Sequence, residues 1–330
     1  MTSEAKNMNT VVALNTALAE AMELDSGVIV FGEDVADPED GGVAYVTKGL
    51  STRFGDARVR STPISEQAIA GAAIGAAMAG MRPVAEIMMM NFSTVAMDML
   101  FNHAAKLRFM SGGQTRVPIT IRMATGTGLS TAGQHADYLE AWFAHAAGLK
   151  VVTYANPADA YGLLLSCIFD DDPCIFIENF LSYGQSGPAP VPGQRVPIGV
   201  AAVTRPGRDV TVVTYGPQVA PALKVAEKLA GEGVQVEVID LRTISPWDKQ
   251  TVLASVARTG RAVISHEAVR AFGVGAEIAA TLQEELWGTL KAPVRRVGAP
   301  SCPVPYSRPL ELAFAPGEAQ VEAAIRATLG

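Results

Sequence analysis

The chain has 330 residues, 49% of them hydrophobic and 18% charged; this is enough for about two domains and far too apolar for intrinsic disorder. Its 26 basic and 33 acidic residues leave a net charge of −7, which argues against a nucleic-acid partner, because neutralising phosphates needs a basic face. No apolar run reaches the roughly 18 residues of a membrane helix, so no membrane span is expected. Residues 9–25 predict a helix with Leu14, Ala17, Leu18, Ala21 and Met22 on one face. A strand over 28–31 follows, then the polar loop DVADPEDGG and a short strand over 58–60. A helix over 66–80 precedes a strand over 83–88, and a helix over 93–109 precedes a strand over 117–122. The loop TGTGLSTAGQ leads to a helix over 137–145. A strand over 150–154, a helix over 157–169 and a strand over 174–178 complete the run. Short continuous apolar strands alternating with helices predict an α/β fold with a parallel sheet covered on both faces.

The Pro- and Gly-rich stretch LSYGQSGPAPVPGQRVPIG has little hydrophobic period and falls where a two-domain chain would divide. The expected units are residues 1–188 and a smaller 200–330, joined by a linker over 189–199. Alternation resumes with strands over 209–215, 234–240 and 262–265, helices over 220–230 and 247–258, and a helix starting near Gly275. The mean hydropathy of +0.22 is high for an isolated chain, so obligate assembly with partner chains is expected. Cys167, Cys174 and Cys302 show no CxxC spacing and read as small buried hydrophobes in a reducing compartment. The opening MTSEAKNMNT lacks the basic and apolar regions of a secretory leader, and a cytoplasmic location is expected.

Few segments offer chemistry by spacing alone. Phe272-Gly273-Val274-Gly275 lacks the third glycine of a dinucleotide fingerprint and reads as a tight turn into a helix. There is no P-loop and no GxSxG elbow. Glu66, in Ser61-Thr62-Pro63-Ile64-Ser65-Glu66, opens a helix of nearly pure Ala, Ile and Gly. It reads either as a first-turn glutamate favoured by the helix dipole or as a desolvated carboxyl able to hold a proton. Gly71, Gly75 and Gly80 in the same segment predict close approach of another backbone. His103 reads as structural, His145 as a helix C-terminal cation, and His266 as an interface or capping residue. His135 follows a Gly-rich loop at the C-terminal side of a predicted parallel strand, where α/β sheets place ligands.

The order and spacing of GEDVA, TPISE, AAMAGMRPVAEI, MNFS, AAKLRFMSGG, GLKVV, EVIDLRTISPWD, GVGAEIA and PVPYS cover nearly the whole chain. In these the chain resembles the β subunit of the thiamin-diphosphate-dependent first component of 2-oxo acid dehydrogenase complexes, of the pyruvate, branched-chain and acetoin dehydrogenase type. The resemblance implies a pyrimidine-binding domain followed by a smaller transketolase-type C-terminal domain. It implies that Glu66 is the cofactor-activating glutamate, that Glu33 and Phe92 meet the cofactor, and that His135 assists acyl transfer to lipoamide. The family's structural potassium site, built largely from backbone oxygens, maps to Ile119, Cys167, Ile168, Asp170 and Asp172. The family's Gly-Asp-Gly diphosphate–magnesium element is absent from this sequence. The resemblance therefore implies that magnesium and half of the thiamin diphosphate site lie on an α subunit, in an α2β2 heterotetramer.

The implied activity is decarboxylation of a 2-oxo acid with transfer of the acyl group to a lipoyl acyltransferase. Many relatives continue the histidine as His-Ser-Gln, whereas this chain reads His135-Ala136-Asp137-Tyr138. That departure keeps alternatives open: an acetoin-cleaving enzyme, or a specialised relative delivering its acyl unit to a carrier protein. A non-catalytic scaffold subunit is a third reading, opposed by Glu66, Phe92 and His135 occurring together.

Overall fold

The structure, a computed structural model, describes residues 7–330. Its first sheet has seven strands, in the order Thr243–Ser245, Lys150–Thr153, Cys174–Asn179, Thr120–Thr125, Arg82–Met89, Val28–Gly32 and Val59–Ser61. All are parallel except Thr243–Ser245, which runs antiparallel to Lys150–Thr153. The sequence pattern does not anticipate this edge strand. It comes from the second half of the chain and completes the sheet of the first. A second sheet of five strands has the order Arg295–Ala299, Ala262–Val269, Val210–Thr214, Val236–Asp240 and Ala202–Arg205. Only Ala202–Arg205 is antiparallel there.

Period-two alternation sends Val28 and Val30 to one face of the first sheet and Phe31 to the other. The helices Thr10–Leu24 and Pro157–Ile168 pack on each other over the first face. Each has a side-chain cap: Asn9 accepts from the Val11 amide at 2.8 Å, and Asn156 from the Asp159 amide at 2.9 Å. The core on the opposite face does not stop at the domain boundary. It runs from Ile69, Ile121 and Ile177 into Tyr215, Ile239, Ile264 and Ile278 of the second unit. Residues 189–199 contain neither helix nor strand. A ribbon pairing Asn7–Asn9 with Ser186–Pro188 ties the start of the described chain to the segment just before them.

Three local expectations are corrected. The helix expected over 93–109 is a 3-10 turn (Met90–Ala96), a π-helical turn (Met99–Ala104) and a short α-helix (Ala105–Met110). Ser93 Oγ donates to the Met90 carbonyl at 2.5 Å and Thr94 Oγ1 to the Asn91 carbonyl at 2.9 Å, so side chains compete for the bonds a regular helix would use. The strand expected at 117–122 begins at Thr120, because Pro118 has no N–H to give a sheet. The close-approach reading of three glycines also fails in part. A Cβ on Gly71 would stand 3.4 Å from Met99 Sδ, whereas Gly75 faces open space. Gly80 lies beyond the helix Glu66–Met78 at φ +94°, a turn position suited to glycine.

The centre of the first sheet holds a buried charge network. Arg122 donates to Glu86 Oε2 at 2.6 Å on one neighbouring strand, and to both oxygens of Glu178 at 2.6 and 2.9 Å on the other. Tyr183 Oη adds a bond to Glu178 at 2.7 Å. Removing one partner of such a set leaves an uncompensated buried charge. We expect Arg122→Met to lower the unfolding free energy by about 3–5 kcal/mol in urea titrations. A change below about 1 kcal/mol would show that the two carboxylates do not need the guanidinium.

Candidate functional site

In the first sheet the parallel strands end on one edge, and the site residues leave from that edge. Val28–Gly32 delivers Glu33. A Cβ at Gly32 would sit 2.5 Å from the Glu86 carbonyl oxygen, so only glycine lets the two strands come this close. Val59–Ser61 delivers Thr62 and then the helix Glu66–Met78, whose first residue, Glu66, is only 9% exposed. Arg82–Met89 delivers Asn91 and Phe92, and Thr120–Thr125 delivers the loop that ends in His135. The helix headed by Glu66 packs against the turn that carries Phe92. The Phe92 ring meets His135 edge-on, with centroids 5.2 Å apart.

Burial raises the pKa of Glu33, and the charges of Glu66, Asp34 and Glu86 raise it further. Among the buried polar atoms that find no partner in the described residues are Glu33 Oε1, Thr62 Oγ1 and His135 Nδ1. An unpaired buried polar atom costs about 1–3 kcal/mol. Three on one edge, beside a half-buried aromatic ring, fit a flat polar heterocycle that the chain itself does not supply. The sequence-assigned residues Glu33, Glu66, Phe92 and His135 all lie on this edge.

The loop before His135 is held from two sides, by residues that the sequence analysis does not name. On its own domain, Asn91 Nδ2 donates to the Gly133 carbonyl at 2.9 Å and to Asp137 Oδ2 at 3.0 Å, and Asn91 Oδ1 accepts from the Asp137 amide at 3.1 Å. Burial raises the Asp137 pKa. From the second domain, Glu267 and Glu311 accept hydrogen bonds from the loop. Burial, and then the charge of Glu311, raise Glu267. Tyr215 Oη also crosses the boundary, donating to Glu140 Oε1 at 2.7 Å. Asn91 lies within the MNFS segment, but no spacing links Tyr215, Glu267 and Glu311 to the loop, so no motif could have named those three.

A cleft of about 1250 Å³ opens between the domains, lined by Phe101, Tyr138, Trp142, Trp247, Glu267 and Phe272 among others. It begins at Ala136–Tyr138, next to His135, but Glu33, Glu66, Phe92 and His135 do not line it. The five positions assigned to potassium cluster around other cations. Arg82 donates to the carbonyls of Ile168 at 3.3 Å and Asp170 at 2.9 Å, and Lys150 reaches Asp170 Oδ1 at 2.6 Å. The Ile119 carbonyl accepts from the Cys174 amide at 2.9 Å, and that of Cys167 from the Asp170 amide at 3.2 Å. The Asp172 carbonyl accepts a weak bond from Cys174 Sγ. A carbonyl oxygen has two lone pairs, so these hydrogen bonds leave the assigned oxygens able to take a cation as well.

His266 is neither an interface nor a capping residue. It lies inside the strand Ala262–Val269, fully buried, and burial lowers its pKa to about 4. A Cβ at Gly273 or Gly275 would fall 2.8 or 2.9 Å from its ring, so these glycines make room for an imidazole rather than a dinucleotide. His103 is half exposed beside Asp98, and His145 closes the helix Glu140–His145. Cys167 and Cys174 are buried as expected, whereas Cys302 is exposed.

Two family patterns match this chain: the transketolase pyrimidine-binding domain over residues 6–185 and the transketolase C-terminal domain over 199–321. Acetoin:2,6-dichlorophenolindophenol oxidoreductase subunit beta of Cupriavidus necator is 44% identical, covering 98% of both chains. Pyruvate dehydrogenase E1 component subunit beta-1 of Arabidopsis thaliana is 43% identical, covering 98% of this chain and 89% of that one. This chain belongs to that family of β subunits. Among solved structures, a split-gene transketolase described as an inactive beta4 tetramer superposes with a TM-score of 0.79 at 22% identity over 98% of each chain, a likeness of fold. The α/β architecture expected from the sequence, a parallel-sheet pyrimidine-binding domain followed by a smaller transketolase-type domain, is the one found.

Glu140 supplies a pH test of the domain contact. Burial raises its pKa from 4.5 to about 7 although Tyr215 donates to it, and its Oε2 has no partner, as suits a protonated acid. A raised folded pKa gives stability that is complete below about pH 4.5 and lost as pH rises through about 7. We expect the wild type to lose about 1–3 kcal/mol more unfolding free energy than Glu140→Gln between pH 4.5 and pH 8, read by denaturant titration. Parallel curves for the two proteins would refute this.

Proposed function

We propose that this chain is the β subunit of a thiamin-diphosphate-dependent 2-oxo acid dehydrogenase of the pyruvate dehydrogenase type, active only with an α subunit. The observation that carries the reading is the one-edge grouping of Glu33, Glu66, Phe92 and His135 with three unpaired buried polar atoms. Sequence kinship with pyruvate and acetoin dehydrogenase β subunits supports it. When bound, thiamin diphosphate supplies the electron sink for decarboxylation. The pyrimidine half would be held by Glu66, Glu33 and Phe92. The diphosphate and magnesium would belong to the α chain, since this sequence has no Gly-Asp-Gly element.

Each residue then has a defined task. Phe92 offers an aromatic face to the pyrimidine and fixes the His135 ring beside it. Glu66 Oε holds the proton exchanged with the pyrimidine, from a helix terminus that fixes its position. Glu33, its pKa raised by burial and then by the neighbouring Glu66 charge, would meet the cofactor from the end of its strand. His135, with Nδ1 unpaired, is available to move a proton during transfer of the acyl group to the lipoyl arm of an acyltransferase. An α chain would also cover apolar surface left open near Glu66. Ile64, two residues before Glu66, is 82% exposed.

One observation favours a second substrate reading. The relative from Cupriavidus necator, 44% identical to this chain, is named for acetoin. Acetoin therefore belongs in the assay beside pyruvate and branched-chain 2-oxo acids.

Calorimetry with thiamin diphosphate and magnesium separates the models. We expect binding to the chain co-expressed with an α subunit and none to the chain alone. Tight binding by the chain alone would overturn the split site. In the complex, Glu66→Gln should lower turnover by about 100-fold or more, in line with loss of a positioned acid–base group. His135→Ala should slow acyl transfer to lipoamide more than decarboxylation followed with 2,6-dichlorophenolindophenol. Equal loss in both steps would remove His135 from the transfer step, and a fully active Glu66→Gln complex would point to a scaffold.

A further inference from the structure

We infer that two carboxylates of the second domain, Glu267 and Glu311, are positioning residues that set the conformation of the loop carrying His135. The inference rests on the role proposed for His135 above. Residues 126–134 leave the strand Thr120–Thr125 in an unusual conformation, with positive φ at Gly126 (+112°), Gly128 (+113°), Ser130 (+56°) and Ala132 (+65°). Glycine adopts such angles freely, but Ser130 and Ala132 do not, so the surroundings must impose the shape.

The imposing groups come from far along the chain. Glu267 Oε1 accepts from the Thr127 amide at 2.7 Å and from Thr127 Oγ1 at 2.8 Å. Glu311 Oε1 accepts from the Gly128 amide at 2.7 Å, both its oxygens accept from the Ser130 amide at 3.1 Å, and Oε2 accepts from Ser130 Oγ at 3.3 Å. Alternating left-handed residues turn successive amides inward, and the carboxylates fill the concavity so formed. Both acids are buried, and the hydrogen bonds they accept come from neutral groups: this loop and, for Glu267, Asn179 Nδ2 at 3.4 Å. A buried carboxylate held by neutral donors alone is a costly way to gain stability, but an effective way to fix a backbone. Further along, a Cβ on Gly133 would sit 3.1 Å from Pro303 Cβ of the second domain, and Asn91 holds Gly133 and Asp137. His135 thus lies between anchors from both domains. A shift of the second domain would move the histidine against Phe92.

The test uses the complex with the α subunit. Glu311→Gln turns one acceptor oxygen into a donor facing the Ser130 amide. We expect it to lower the rate of acyl transfer to lipoamide about tenfold. KM for the 2-oxo acid and the affinity for thiamin diphosphate should stay within about twofold, because neither acid touches the pyrimidine edge. In a His135→Ala background the same substitution should change transfer no further, because it acts through the histidine. Additive losses, or equal loss in every step, would mean a merely structural role. Glu267→Gln repeats the cycle should Glu311→Gln fail to assemble. Hydrogen exchange judges the positioning without any activity: the Gly128 and Ser130 amides should exchange at least about tenfold faster in Glu311→Gln, and unchanged protection would overturn the proposal. If His135→Ala transfers acyl groups normally while exchange still accelerates, the histidine's role fails and the anchoring stands.

Discussion

One buried guanidinium sets the terms for the first sheet. Arg122 sits at its centre and reaches a carboxylate on the strand to each side, so three strands share one electrostatic network with almost no exposure to water. Such a set is weak as a source of net stability, because desolvating three charges offsets much of their attraction. Its value here is specificity of alignment. Glu86 stands opposite Arg122 in register, and Glu178 lies two residues beyond Arg122's partner Phe176, so all three point to one face. A slip of one residue in either pairing would bury unpaired charge. Glu86 passes the constraint outward, since it also accepts from the Val43 amide at 3.0 Å and its charge contributes to raising Glu33.

The second domain is not an appendage to this arrangement. A hydrophobic core runs through both units, an edge strand from one completes the sheet of the other, and carboxyl groups on both sides of the boundary accept hydrogen bonds across it. Burial raises Glu140 and Glu267 alike. The second domain also shapes the backbone of the loop that ends at His135.

The sequence is most legible where one physical pattern dominates. Parallel strands buried on both faces read as short apolar runs, and for that reason Val28–Gly32, Lys150–Thr153 and Cys174–Asn179 fall within about a residue of their expected bounds. It is least legible where side chains overrule backbone propensity. Ser93 and Thr94 divert the helix expected at 93–109, and no apolar period carries that information. The site divides in the same way. Glu66 and His135 stand out by their positions in the amino-acid sequence, and Phe92 by the resemblance that its motif carries. Arg122, Glu267 and Glu311 are lone charged residues whose importance arises only when strands and loops more than 30 residues apart are brought together. Their only trace in sequence is a charge inside an otherwise apolar strand or helix, a signal shared by many residues of no consequence.

The histidines show how burial decides between such equivalent signals. His266 and His135 each follow or occupy a strand of a parallel sheet, and each has a ring nitrogen without a partner. His266 is enclosed by glycines, with its pKa lowered to about 4, so it stays neutral near pH 7 and serves packing against Tyr215. His135 instead lies at the end of a strained loop on the open edge of the sheet, against Phe92, with anchors from two domains around it. Strain held in place by that many independent contacts is hard to explain as packing, because a relaxed loop would fill the same space at lower cost. The loop is more readily understood if its shape exists for the histidine it presents.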